Sequence, residues 1–139
     1  MEMTTNERPL MSFAILAYKQ ERFIGEAVAG ALAQTYSPLE IILSDDHSTD
    51  RTFEVMQEIA GAYQGPQKVI VNQTPRNLGL SAHLDNAAKL AQGERIVIAV
   101  GDDISRPDWV VNHIRLAQQH RQAHSAFQSP IIFCQHTGE

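Results

Sequence analysis

The 139-residue chain has one cysteine, Cys134, which excludes an internal disulfide and any cysteine-rich zinc module. No apolar run approaches the roughly 18 residues that a membrane-crossing helix needs. The first residues, Met1 to Arg8, are polar and carry no apolar signal-peptide segment. Basic charge is also scarce: eleven Lys and Arg stand against sixteen Asp and Glu, a net charge of -5. A nucleic-acid or anionic-membrane surface needs a basic footprint, so neither partner is expected. There is no Gly-x-Gly-x-x-Gly after the first apolar run, no Walker A lysine loop and no Gly-x-Ser-x-Gly elbow. These gaps remove the dinucleotide dehydrogenase, P-loop and α/β-hydrolase readings. Internal repeats and low-complexity tracts are absent as well. What remains, with 43% hydrophobic and 19% charged residues, is one ordinary globular domain. The expected setting is reducing and cytoplasmic, or peripheral at the inner face of a membrane.

Apolar periodicity supplies the organisation. Residues 1–10 read as a loose tail, and Met11 to Ala17 (MSFAILA) as a strand buried on both faces. Phe23, Ile24, Ala27, Val28, Ala31 and Leu32 recur at helical spacing, and Ser37-Pro38 breaks the chain. A second strand, Leu39 to Ser44, runs into the acidic turn Asp45-Asp46-His47-Ser48-Thr49-Asp50. The next helix starts near Thr52 with Ser48 or Thr49 as its expected cap, buries Val55, Met56, Ile59, Ala60 and Tyr63, and stops at Gly65-Pro66. Lys68 to Asn72 is a short third strand, and residues 73–79 (QTPRNLG) are a loop. A third helix with Leu80, Leu84, Ala87, Ala88 and Ala91 on its apolar face ends at Gly93. Arg95 to Val100 is a fourth strand, closed by Gly101-Asp102-Asp103; Pro107 opens a fourth helix, and Pro130 to Gln135 fits a fifth strand.

Strands alternating with helices predict a mainly parallel sheet with helices on both faces. Ligands of such sheets sit outside the carboxyl ends of the strands. Tyr18-Lys19, Asp45-Asp46 and Asp102-Asp103 follow the first, second and fourth strands, which puts two acidic pairs on one rim. Asp at a strand end can simply serve turn chemistry or capping. Two pairs on one rim also suit a hard divalent cation such as Mg²⁺ or Mn²⁺, or a carboxylate accepting from a nucleobase imide or a ribose hydroxyl. An anionic diphosphate would be repelled there by about 4 kcal/mol per close like-charge pair, and a bridging cation reverses that sign.

Four segments together resemble one family. AYKQERFIGEAVAGALAQTY, LEIILSDDHSTDRT, NLGLSAHLDNAAKLAQGERI and GDDISRP are similar to the nucleotide-binding half of inverting, family 2-type glycosyltransferases of the GT-A fold, over roughly residues 11–125. The resemblance implies a Rossmann-like, three-layer α/β/α architecture. It implies a donor that is a nucleotide-diphosphate sugar, with UDP the expected nucleotide, and an acceptor that is a saccharide or a lipid-linked glycan. Ala17 and Tyr18 would lie against the base, and Asp46, beside Asp45, would read it. Asp102 would hold Mn²⁺ or Mg²⁺, with Asp103 as the following acid. Arg76, Asn77 and Gly79 would line the loop facing the rim, Arg76 forking onto the diphosphate. Two positions depart from the family pattern. Val100 stands where its first acid contacts ribose, and Asp85 where it commonly has Asn.

The family places its catalytic base beyond a further set of strands. No residue after 125 matches that region, so the expectation is a domain cut before its acceptor half, its catalytic residue unknown. Residues 126–139 then form an edge strand or a frayed end, with self-association through the uncovered apolar stretch AFQSPIIFC. A non-catalytic nucleotide-sugar-binding module is the alternative. A receiver-type signalling domain lacks its phosphoacceptor Asp after the third strand, where Asn72-Gln73-Thr74 stands. His113, His120 and His124 form one helical stripe without an acidic or Cys partner, better read as a solvated face than as a metal site. His47 sits where the family often has Gly and is within reach of a phosphate. Trp109 and Cys134 read as packing residues.

Overall fold

A computed structural model of the chain describes residues 9–100, 110–111 and 131–133. Eight elements follow one another: β1 (Met11–Ala17), α1 (Ile24–Leu32), β2 (Leu39–Asp45), α2 (Thr52–Ala62), β3 (Lys68–Gln73), α3 (Leu80–Leu90), β4 (Arg95–Val100) and β5 (Ile131–Phe133). They form one five-stranded sheet of order β3-β2-β1-β4-β5, and every pairing is parallel. The sheet is therefore doubly wound, with strand one central and β5 at an edge. Strand order reverses between β1 and β4, the crevice in which such folds bind ligands. Val110 and Val111, within the expected fourth helix, are helical. Residues 1–8 of the tail, Asp102, Asp103, Trp109, the three-histidine stripe and Cys134 lie outside the described residues.

The near-continuous apolar character of β1, β2 and β4 is what burial on both faces requires. Side chains alternate, so the two faces receive different sets. Met11, Phe13, Ile15, Leu39, Ile41, Leu43 and Val97 pack beneath α1 and α2 with Ile24, Val28 and Met56. Ala14, Leu16, Ile42, Ile96 and Ile98 pack beneath α3 with Ala87. The result is the three-layer α/β/α arrangement. Among the described residues no helix is long and apolar enough to cross a membrane.

Two local expectations are corrected. The start of α2 is capped by neither Ser48 nor Thr49. Asp50 Oδ1 accepts the Thr52 N–H at 3.0 Å, and Glu21 Oε1 accepts the Arg51 N–H at 3.1 Å. Ser48 is committed elsewhere, to Asp45 and to the Lys19 N–H. On α3 the buried face holds His83 and Ala87, whereas Leu80 is 59% exposed. His83 can be buried because Ser44 gives its ring a hydrogen-bond partner, so the stripe rotates away from Leu80.

Gly93 joins α3 to β4 where the chain passes tightly over β1. A Cβ there would lie 2.6 Å from the Ser12 amide nitrogen and hydroxyl oxygen. Its own N–H donates to Ser12 Oγ at 2.9 Å, and Ser12 Oγ donates to the buried Glu40 Oε2 at 2.6 Å. Glu40 Oε2 also accepts the Gln92 N–H at 2.6 Å, so β2 holds the exit of α3.

Candidate functional site

Parallel pairing brings the carboxyl ends of β1, β2 and β4 to one side of the sheet. Ala17 is opposite Asp45, and Leu16 is opposite Val100. The chain leaving β2 stays on this rim: the Asp46 N–H donates to the Ala17 carbonyl at 2.9 Å. Ala17 is buried, and Tyr18 is half exposed with the Lys19 ammonium 5.2 Å from its ring centroid.

Asp45 and Asp46 are both buried, yet they do different things. Asp45 closes its own turn, accepting from the Ser48 N–H (2.8 Å), the Ser48 hydroxyl (2.5 Å) and Gln73 Nε2 (3.2 Å). Asp46 reaches across to the segment that leads into α3. Its Oδ1 accepts the Leu78 N–H at 2.8 Å and faces the Thr74 hydroxyl at 2.9 Å. Its Oδ2 accepts the Gly79 N–H at 2.9 Å and Asn77 Nδ2 at 3.1 Å. Burial alone would raise the Asp46 carboxyl. The bonds from Leu78, Thr74 and Gly79, with the nearby His83, outweigh burial and hold it below its ordinary value.

The loop is locked from its other end as well. The Thr74 N–H donates to the Asp45 carbonyl at 3.0 Å, and the Thr74 carbonyl meets His47 Nδ1 at 3.0 Å. His47 has φ +60°, a left-handed conformation that costs a non-glycine residue about 1 kcal/mol. In that conformation its ring reaches the loop at the Thr74 carbonyl. Gly79 has φ +86° and ψ 164°, a region that is essentially glycine-only, and from there the chain turns into α3.

Behind the rim lies a buried polar cluster. Ser44 Oγ and His83 Nε2 are 2.8 Å apart, and Asn72 Nδ2 donates to Ser44 Oγ (2.9 Å) and to Asn86 Oδ1 (3.0 Å). Desolvation lowers the His83 pKa, more strongly than Asp46 and Asp45 raise it. In front, an open cleft of about 270 Å³ is lined by Lys19, Glu21, Arg22, Phe23 and Asp50. Its carboxylates are taken: Asp50 accepts from Thr52 and from the Glu21 N–H, and Glu21 from the Arg51 N–H.

Of the residues the sequence singles out, Ala17, Tyr18, Asp45, Asp46, Arg76, Asn77 and Gly79 are thus gathered at one end of the sheet or in the loop fixed to it. The Arg76 side chain is exposed, and its carbonyl faces the Thr74 hydroxyl at 2.7 Å. Among the described residues no three His, Cys, Asp or Glu converge to hold a metal. Thr74, Ser44 and His83 are the residues that sequence reasoning passed over. The one available signal was a histidine four residues before Ala87, in step with the stripe that is buried.

Comparison with known proteins bears on the family and the fold. The model for "Glycosyl transferase family 2" matches residues 12–137. EpsE of Bacillus subtilis (strain 168) is 31% identical over 128 residues, which is 92% of this chain and 45% of EpsE. Chondroitin synthase of Escherichia coli is 34% identical over 111 residues, 79% of this chain and 16% of the synthase. The chain thus spans less than half the length of these relatives. Among solved structures, the mannosyltransferase PcManGT from Pyrobaculum calidifontis, in complex with GDP-Man and Mn²⁺, superposes with a TM-score of 0.74 at 22% identity, over 81% of this chain and 33% of that one. TarS residues 1–349 of S. aureus in complex with UDP gives 0.67 at 22% identity, over 80% and 32%. At that identity these two structures speak to the fold.

Proposed function

The chain belongs to glycosyltransferase family 2, and we propose that it is the donor-binding part of an enzyme transferring a sugar from a nucleotide diphosphate, with UDP the expected nucleotide, to an acceptor hydroxyl. One observation carries the reading. Ala17, the Asp45–Asp46 turn and the Asn77–Gly79 loop are hydrogen-bonded into a single rim beside the β1/β4 switch point. The complexes of PcManGT with GDP-Man and of TarS with UDP support a nucleotide ligand for this fold.

In this proposal the base lies against Ala17 and Tyr18, and the diphosphate extends toward the end of β4. Arg76 is available to it, since among the described residues its guanidinium pairs with no carboxylate. With a net charge of -5 and an acidic rim, a diphosphate here is favoured by a neutralising cation. Carboxylates suit a hard cation, Mn²⁺ or Mg²⁺, and the family resemblance would give that ion to Asp102, with Asp103 following it in sequence. Bound there, the cation would neutralise the leaving diphosphate as a Lewis acid. The acceptor, a saccharide or lipid-linked glycan, would attack the anomeric carbon in line. Its general base lies outside the matched donor half. A cytoplasmic or inner-membrane-face setting and self-association through the β5 edge belong to the same proposal.

Calorimetry with UDP, with Mn²⁺ and then with excess chelator, tests it on the wild type and Asp102→Ala. Binding should require the metal in the wild type and lose that dependence in the variant. Equal affinity in chelator would remove Asp102 as a ligand, and no binding of any nucleotide would leave family ancestry alone. Val100, where the family has an acid, favours the second reading, a nucleotide-sugar-binding module without catalysis.

A further inference from the structure

We infer that the cleft between the turn leaving β1 and the turn entering α2 binds an anionic saccharide, a sugar carrying a carboxylate or a phosphate. Its place on the rim beside Tyr18 makes that sugar a unit of the acceptor, an assignment that rests on the proposed function. The cleft, of about 270 Å³, is lined by Lys19, Glu21, Arg22, Phe23 and Asp50. It is close to the lower end of the ~300–1,000 Å³ of small-molecule sites, which suits a single sugar ring. Lys19 and Arg22 are exposed and form no ion pair among the described residues, where both salt bridges belong to Arg51. The two carboxylates of the wall are turned to protein donors. Asp50 Oδ1 accepts the Thr52 N–H and hydroxyl, Asp50 Oδ2 the Glu21 N–H, and Glu21 Oε1 the Arg51 N–H.

An entering anion therefore meets two cations that carry no carboxylate. The Arg22 guanidinium can fork onto a carboxylate or a phosphate, and the Lys19 ammonium adds a point charge. Phe23 is 51% exposed, and its ring offers an apolar surface to the C–H face of a sugar. A bare inorganic ion would leave that ring unused. The walls are fixed before any ligand arrives. Three consecutive amides after β1 are held by side chains from the start of α2 and the turn before it. Lys19 N–H donates to Ser48 Oγ at 2.8 Å, Gln20 N–H to Thr52 Oγ1 at 2.9 Å and Glu21 N–H to Asp50 Oδ2 at 3.4 Å. They keep Lys19 at φ +54°, a left-handed conformation uncommon for a residue with a Cβ. A site ordered in advance loses little freedom on binding. The Lys19 ammonium stands 5.2 Å from the Tyr18 ring centroid, so the cleft adjoins the surface proposed for the base.

Amide NMR titration of the full chain, without nucleotide and in excess chelator, tests the cleft by itself. The probes are glucuronate, glucose phosphate, glucose and inorganic phosphate. Glucuronate or glucose phosphate should shift the amides of Lys19 to Phe23 saturably, and bind at least fivefold more tightly than glucose or inorganic phosphate. Arg22→Gln should weaken the anionic sugar at least fivefold and leave glucose within twofold. Phe23→Ala should weaken the anionic sugar and leave inorganic phosphate within twofold. Glucose or inorganic phosphate binding as tightly as the anionic sugars overturns the inference, and so do unmoved amides at Lys19 to Phe23. A repeat with UDP and Mn²⁺ separates the cleft from the nucleotide site. Sugar affinity within twofold supports two sites, whereas displacement by UDP gives the cations to the nucleotide and overturns the inference. If UDP does not bind and the cleft still shifts, the proposed function fails and the anionic-sugar site stands.

Discussion

The two faces of the sheet are built on different principles. Beneath α1 and α2, the alternate positions Met11, Phe13, Ile15, Leu39, Ile41, Leu43 and Val97 are all apolar and buried. Beneath α3, the same strands contribute Ala14, Leu16, Ile42, Ile96 and Ile98 in the middle, but Ser12, Glu40 and Ser44 toward the ends. Hydrophobic burial has no direction, so the first face holds the fold together without fixing any atom finely. The polar groups of the second face act through hydrogen bonds, which do fix position. Three even positions of β2 and its turn bear on α3 through polar groups. Glu40 holds its exit through Gln92, Ser44 meets His83 in its middle, and Asp46 holds its entry through Leu78 and Gly79. Glu40 Oε1 has no hydrogen-bond partner among the described residues, so the exit tether is less completely satisfied than the entry. One face stabilises, and the other aims a helix and its leading loop at the rim.

The largest expected effect lies on the apolar face. Phe13 is fully buried, and Phe13→Ala should lower unfolding free energy by about 3–5 kcal/mol in urea titration. Local exchange at Leu78 and Gly79, corrected for that global loss, should stay unchanged. A selective acceleration there would blur the division between the faces.

On the polar face, Ser44→Ala removes the hydroxyl that joins His83 to Asn72 and leaves buried partners unsatisfied. The expected cost is about 1–3 kcal/mol, with α3 amides losing protection before those of α1. Uniform loss across both helices would show that the cluster packs and does not aim.

The smallest effect is a pH dependence. The folded His83 pKa lies below its ordinary 6.5, so below pH 6.5 the unfolded chain binds a proton that the folded chain refuses. Stability from this group is present above pH 6.5 and declines as pH falls toward the folded value. Asp46 acts in a separate, more acid window: its contribution is intact above 3.8 and lost as pH falls through its lowered folded value. Urea midpoints between pH 7.5 and 5 should therefore fall less steeply in His83→Leu than in the wild type. Equal slopes would remove His83 from the account.

Strand and helix identity was legible because it rests on periodicity, which local sequence carries. Met11 to Ala17 reads as a strand buried on both faces, and that is its place at the sheet centre. The rim was legible too, since parallel strands must end on one side. Caps and helix rotation were not. Asp50, not Ser48, takes the Thr52 N–H at the start of α2, because Ser48 is drawn to Asp45 and Lys19 across the turn. His83, not Leu80, faces the core, because a hydroxyl on β2 waits there for its ring.

The sequence by itself determined the alternation of elements, the two acidic pairs and the family those segments resemble. All of these are properties of residues near one another along the chain. Only the tertiary structure decided what the two acids of one pair do. Asp45 and Asp46 are neighbours of the same chemistry, and nothing local distinguishes them. Asp45 closes its own turn, whereas Asp46 meets two backbone amides 32 and 33 residues away. Those amides carry no side-chain identity, so no residue type announces them. They come within reach only when β3 and α3 return the chain to the end of β2.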